Sequence, residues 1–385
     1  MSDRFRRSVD GTPAPPPPPR PKPNPIPASE VDEHSSSDSS ASSADSLASV
    51  NTVRPSSREQ EAPPTHWTSY FAQELWLQQD RDEQRAKYHV YLTPPADLHK
   101  GPLFICHHGA GSAGLSFAIF AREVRHKLPE AGVLALEARG HGSIITHSTT
   151  GEELVDFSLQ TLASDAVTMI TLTQTEMRWP QLPPAVLVGH SLGGAIVTQM
   201  AADYALGTQL IGFSVIDVVE GSAVEALQHM RSYLSSRPSI FASIDEAVTW
   251  HLRSRTLRNP ESARASVPAL LSPLPSGKYI WKTDLTTTVR WWEDWFTGLS
   301  QKFLAGRGAK QLILAGTDRL DRALMIGQMQ GKFHLVVVPE AGHFVQEDVP
   351  ETTAGLLVEF FRRNDRSALV LPPKVSELIA MGKKV

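Results

Sequence analysis

The sequence predicts an α/β architecture: a mostly parallel sheet covered by helices on both faces, with a helical cap inserted after the sixth core strand. Three observations carry that expectation. Short runs of β-forming residues alternate with stretches of helical periodicity from about residue 87 onward. Residues 185–188 (AVLV) lead through Gly189-His190-Ser191-Leu192-Gly193 into a stretch with Ile196, Val197, Met200, Ala201 and Tyr204 on helical spacing, a strand–turn–helix unit. Finally, roughly ninety residues separate the strand at 210–216 from the next core strand at 310–315, far beyond an ordinary connection.

Composition sets the frame. The chain has 385 residues, of which 41% are hydrophobic, enough for one large domain with extensions. A formal net charge of −4 gives no general attraction to nucleic acid or to anionic membranes, so neither is expected as a partner. Cys106 is the only cysteine and cannot form a disulfide within the chain. The sequence shows no signal-type apolar segment and no long apolar span, which predicts a non-secreted protein of the cytoplasm, the nucleus or both.

Residues 1–62 read as a disordered Pro/Ser-rich tail, proline-dense over 13–27 and serine-rich over 35–46. Pro15-x-x-Pro18-x-Arg20 fits an SH3-type groove, although a spacer without a dedicated ligand is the plainer reading. The ordered domain is expected over 63–365, and residues 366–385 as a loosely held C-terminal tail. Strands are predicted at 87–93, 102–106, 133–136 and 185–188, and helices at 117–128 and 154–177. The cap insert spans about 220–305. Within it Ala223, Leu227, Met230 and Leu234 share one helical face, and Ile244, Val248 and His251 another. Trp281, Trp291, Trp292, Trp295 and Phe296 either pack this insert onto the sheet or line an apolar groove over the strand ends. Strands at 310–315 and 333–338 and a helix at 349–362 complete the domain.

The chemistry is expected at the strand–turn–helix unit. A G-x-S-x-G turn in that context exposes a serine hydroxyl, which makes Ser191 the candidate nucleophile. The Leu192 N–H at the start of the following helix then faces an oxyanion beside Ser191. Upstream, His107-His108-Gly109-Ala110-Gly111 is a small-residue turn after a buried strand, where α/β-hydrolases place a second oxyanion donor; Ala110 N–H takes that role. His343, on the loop after the last strand, is the candidate general base, whereas His108 and His141 read as loop braces. Two carboxylates compete to orient the base. Asp217 and Asp318 each follow a strand, and spacing alone favours Asp318, which Arg319 and Arg322 could also occupy as ion-pair partners. No metal or organic cofactor is required.

Several longer segments are more specific than the serine turn. His190-Ser191-Leu192-Gly193-Gly194-Ala195, Ile216-Asp217-Val218-Val219-Glu220-Gly221, Arg258-Asn259-Pro260-Glu261-Ser262-Ala263-Arg264, Ile326-Gly327-Gln328-Met329-Gln330-Gly331-Lys332-Phe333 and Gly342-His343 together resemble the protein phosphatase methylesterases. The resemblance runs from about Trp67 to Arg362. It implies an α/β-hydrolase that removes the methyl ester from the C-terminal leucine of the type 2A phosphatase catalytic subunit, its substrate and partner. It also implies that the acid is Asp217, giving Ser191, Asp217 and His343 with Ala110 and Leu192 as oxyanion donors. Ala110 stands at a family glycine position, and the acidic insertion of some members near residue 270 is absent. A small-molecule esterase or lipase of the same fold, and a non-catalytic phosphatase-binding protein, are the rival readings. Because Asp217 lies close before Gly221, where the insert begins, the acid is expected to inherit the insert's position, with Trp291 and Trp295 as partner contacts or as supports.

Overall fold

The computed structural model describes residues 65–316 and 320–365. The tail expected over 1–62 with its proline motif, the stretch 366–385, and Asp318 with Arg319 lie outside these residues.

The core begins with an antiparallel hairpin, β1 (Gln73–Arg81) and β2 (Gln84–Thr93), in register from Gln73↔Leu92 to Arg81↔Gln84. It continues through β3 (Leu103–His107), α1 (Ala118–Lys127), β4 (Gly132–Glu137), β5 (Ile144–His147), α2 (Leu159–Glu176), β6 (Ala185–His190), α3 (Leu192–Ala202) and β7 (Leu210–Ile216). Between β7 and the next core strand come α4 (Glu220–Ser236), β8 (Ile240–Phe241), α5 (Ile244–Arg253), α6 (Pro260–Ser266), β9 (Leu271–Pro273), β10 (Tyr279–Trp281), α7 (Trp292–Phe296) and α8 (Leu299–Ala305). Then follow β11 (Ala309–Leu314), α9 (Arg322–Met329), β12 (His334–Val337), α10 (Val345–Asp348) and α11 (Pro350–Asn364).

The main sheet runs β1-β2-β4-β3-β6-β7-β11-β12, with β5 paired to β2. From β4 onward every neighbour pair is parallel. Along this order β7 is the sixth strand. The central strands read as unbroken apolar runs because both of their faces are covered. Ile105, Leu134 and Leu187 point into one core with α2 and α3, while Cys106, Val133, Val186 and Val188 point into the other with α1 and α11. Each such fully buried aliphatic side chain contributes about 1.5–3 kcal/mol.

Several elements differ from expectation. β1 is a strand that alternation does not reveal, because QELWLQQDR buries only Leu77. The helix expected from 154 begins at Leu159, since Ser158 caps it by accepting from Thr161 N–H and Asp156 turns the chain just before it. The small antiparallel sheet β8-β10-β9 inside the insert was also not expected. Its strands are too short to carry a period.

The insert's aromatics settle as packing. Trp292 and Trp295 are buried, and the Trp295 indole N–H donates to the Phe157 carbonyl at 2.7 Å. Trp291 lies edge-on to Phe157, with the Arg290 guanidinium 3.9 Å above its ring. Trp295 is therefore not a partner contact, and Trp291 serves mainly to tie the insert to the segment before α2. No helix among the described residues is long and apolar enough to cross a membrane.

Candidate active site

The turn between β6 and α3 is sterically forced. Ser191 has φ 52° and ψ −120°, a conformation that L-residues rarely adopt. A β-carbon on Gly189 would lie 2.1 Å from the Gly193 carbonyl oxygen, and one on Gly193 would lie 2.1 Å from the His107 carbonyl oxygen. Only glycine at both places lets β6, α3 and the loop after β3 close on each other. The Ser191 N–H donates to the Ile216 carbonyl at 3.0 Å, which fixes the turn against the end of β7. Strain at Ser191 is thus held by hydrogen bonds and close packing on every side.

Asp217 is the first residue past β7 and also has a positive φ, 52°. Its N–H donates to Ile313 O at 2.7 Å, and its Oδ1 accepts from Ala315 N–H at 2.8 Å, so β11 holds it from both ends. Its Oδ2 meets His343 Nδ1 at 2.7 Å. The carboxylate side chain is only 11% exposed. Burial alone would push its pKa up, but the hydrogen bond and charge of His343 and the bond from Ala315 outweigh it and bring it below the usual carboxylate range. With Nδ1 committed to Asp217, the His343 Nε2 is left as the free basic nitrogen. Asp217 therefore sits where the resemblance to the methylesterases put the acid. Its N–H and Oδ1 are anchored at the end of β11 and just after it, not on the insert.

The turn after β3 is braced by two neutral histidines. Gly111 N–H donates to His141 Nε2 at 2.9 Å, and His141 Nδ1 donates to Arg139 O at 3.0 Å. His108 Nδ1 donates to Gly109 O at 2.8 Å, while its Nε2 accepts from Ala138 N–H at 3.0 Å. Burial pulls His141 down to about 4 and His108 well below its usual value, so both rings are uncharged near neutral pH and keep a single N–H. Arg139 in turn is gripped by Asp165, which also accepts from Tyr88 OH at 2.9 Å. His141 occupies the Gly111 N–H, while the Ala110 N–H makes no hydrogen bond among the described residues.

Beneath the turn lies Glu137, whose Oε1 accepts from Gly114 N–H at 2.9 Å and whose Oε2 has no hydrogen-bond partner among the described residues, with His108 Nε2 3.9 Å away. Burial raises this carboxyl from 4.5 to about 7, against a smaller opposing effect of Lys282. The sign follows from linkage: between those values the folded chain binds the proton and the unfolded chain does not, so stability falls as pH rises through the window. The shift corresponds to on the order of 3 kcal/mol. Glu137→Gln is expected to raise the melting temperature at pH 8 and to flatten its decline between pH 5 and 8. A variant that melts along the parent's pH curve would show that Glu137 ionises freely in the fold.

Sequence reasoning did not find His190 as part of the site. Its Nε2 donates to the His343 backbone carbonyl at 2.8 Å, and burial together with the nearby His343 lowers its pKa to about 3. A histidine beside a nucleophile gives no sequence signal that separates this bracing role from a catalytic one.

A parallel sheet of this order, a strained serine between β6 and α3, and an aspartate–histidine pair across the ends of β7 and β12 define an esterase of the α/β-hydrolase class. A family model described as alpha/beta hydrolase family matches residues 104–356. The chain is 52% identical to protein phosphatase methylesterase 1 of Neurospora crassa, over 90% of this chain and 88% of that protein. It is 56% identical to the protein of the same name from Gibberella zeae, over 83% of this chain and 79% of that one. The solved E-2-(acetamidomethylene)succinate hydrolase shares the fold, with a TM-score of 0.58 at 18% identity, covering 75% of this chain and all of that one. The chain belongs to the protein phosphatase methylesterase family.

Proposed function

We propose that Ser191, Asp217 and His343 form a catalytic triad that hydrolyses the methyl ester on the C-terminal leucine of the type 2A protein phosphatase catalytic subunit. The observation that carries the reading is the 2.7 Å Asp217–His343 contact beside the strained Ser191, in a chain whose relatives are named for phosphatase methylester hydrolysis. His343 Nε2 takes the Ser191 proton as Oγ attacks the ester carbonyl. The N–H groups of Ala110 and Leu192 bind the resulting oxyanion. Collapse breaks the bond to the methoxy group, which leaves as methanol with the proton from His343. Water then gives a proton to His343 and attacks the acyl carbonyl. Ser191 recovers its hydrogen, and the leucine carboxylate departs. Asp217 keeps the imidazole oriented and balances its charge throughout.

A folded protein as substrate needs a docking face. Met325, Ile326 and Met329 on α9, the helix before the strand that leads to the base, are exposed apolar residues, with Met329 81% exposed. These replace the insert tryptophans as the surface for the phosphatase body. Asp217 and His343 are already paired, while Ser191 Oγ makes no hydrogen bond to His343 among the described residues. Docking then has only the Ser191–His343 contact left to complete, in line with catalytic contacts that tighten once substrate is bound. Intact methylated phosphatase is accordingly expected to show a higher kcat than a short methyl-ester peptide of the same terminal sequence. Equal kcat at saturation, with only KM different, would mean that docking supplies affinity alone.

A further inference from the structure

The loop that carries His343 is gripped by the insert. Arg258, between α5 and α6, donates its backbone N–H to Asp348 Oδ1 at 2.7 Å and its Nη1 to the Glu340 carbonyl at 2.7 Å. Its Nε lies 3.8 Å from Asp348 Oδ2. That same oxygen accepts from the Gly342 N–H at 2.7 Å, next door to His343. A β-carbon at position 342 would come within 3.1 Å of Asp348 Oδ2 and 3.2 Å of Arg258 Nε, so a larger residue would press the clamp apart. The Asp348 side chain is 1% exposed. Burial pushes its carboxyl up, opposed by the bonds from Arg258 and Gly342 and by the Arg258 charge.

The grip extends along α6. Ser262 Oγ donates to the Glu347 carbonyl at 2.7 Å, and Ser266 Oγ donates to the Glu347 carboxylate. Phe344, immediately after His343, packs against the insert's own cluster, which includes Phe241, Leu257 and Val267. Asp217, in contrast, is held by β11. The proposed acid thus rests on the sheet, whereas the proposed base, bonded to His190 and Asp217 from the core, sits on a loop that the insert grips on both sides.

From this division we propose that Arg258 is a positioning residue for His343: acting from the insert through the Glu340 carbonyl and Asp348, it sets where the imidazole stands relative to Ser191. The inference rests on the reading of His343 as general base and is independent of which ester the enzyme takes in the cell. The Arg258 guanidinium donates to the Glu340 carbonyl through Nη1 while its Nε faces Asp348 at 3.8 Å, a planar arrangement that a lysine ammonium does not reproduce. Losing it lets the loop drift while Asp217 stays fixed.

The test uses the full chain with p-nitrophenyl acetate, each preparation being titrated for reactive Ser191 with a fluorophosphonate so that kcat refers to competent sites only. Arg258→Ala is expected to lower kcat per site by about a hundredfold, the cost of roughly 1 Å of misplacement, with KM changed by less than about threefold. Arg258→Lys should fall between this variant and the parent, and methylguanidinium should restore part of the kcat of Arg258→Ala without accelerating the parent. A purely architectural arginine would lower the melting temperature and the titrated fraction and leave kcat per site at the parent value. That outcome overturns the inference. Should Arg258→Ala not fold, the drop in kcat per site of Arg258→Lys decides the same question. His343→Gln serves as the control: parent-like turnover there would instead remove the triad reading on which the inference stands.

Discussion

Ser191→Ala is expected to abolish ester hydrolysis, with a fall in kcat on the order of 10⁶-fold, as when the nucleophile of a serine-hydrolase triad is removed. The substitution takes away one oxygen from a residue whose backbone is already fixed. The Ser191 N–H still reaches the Ile216 carbonyl, and Gly189 and Gly193 still allow the close approach of β6 and α3. The melting temperature should therefore stay near the parent's. A fluorophosphonate should label the parent and not the variant; equal labelling of both would place the nucleophile elsewhere.

The second large effect is expected at Asp217. Asp217→Asn keeps the shape and can keep the Ala315 N–H bond, but it removes the charge that balances the imidazolium and can turn the ring to the wrong tautomer. Turnover should drop by about 10⁴-fold, the loss known for an orienting carboxylate changed to its amide. Asp318→Asn is expected to retain most activity. Should Asp318→Asn be the dead variant and Asp217→Asn the active one, the 2.7 Å contact between Asp217 and His343 would be incidental to turnover.

These two substitutions mark what could be read from the chain. The serine turn was legible because its constraint is local: two glycines are demanded by contacts within a few ångströms, and the flanking strand and helix announce themselves by composition. The parallel sheet was legible for a similar reason, since strands buried on both faces cannot alternate. The acid was less accessible. Asp217 and Asp318 both follow strands whose ends lie about 5 Å apart, and spacing favoured Asp318. Only the resemblance of IDVVEG to the methylesterases selected Asp217.

What the sequence could not reveal is side-chain traffic between distant segments. Arg258 and Asp348 are ninety positions apart, and His190 reaches His343 across 153. No periodicity records such contacts. The insert's tryptophans left two readings open for a related reason, because an aromatic cluster looks alike whether it packs inward, as Trp292 and Trp295 do, or lines a groove. β1 escaped notice because a strand that buries only Leu77 has no apolar period to detect.

The central claim is tested most directly by methyl release. The carboxymethylated catalytic subunit of type 2A phosphatase would be incubated with the full chain, and its C-terminal peptide followed by mass spectrometry. The account predicts loss of the methyl from the terminal leucine with release of methanol, catalytically by the parent and not at all by Ser191→Ala. A phosphatase that kept its methyl ester, while the same preparation hydrolysed p-nitrophenyl acetate through Ser191, would contradict it and leave an esterase acting on some other substrate.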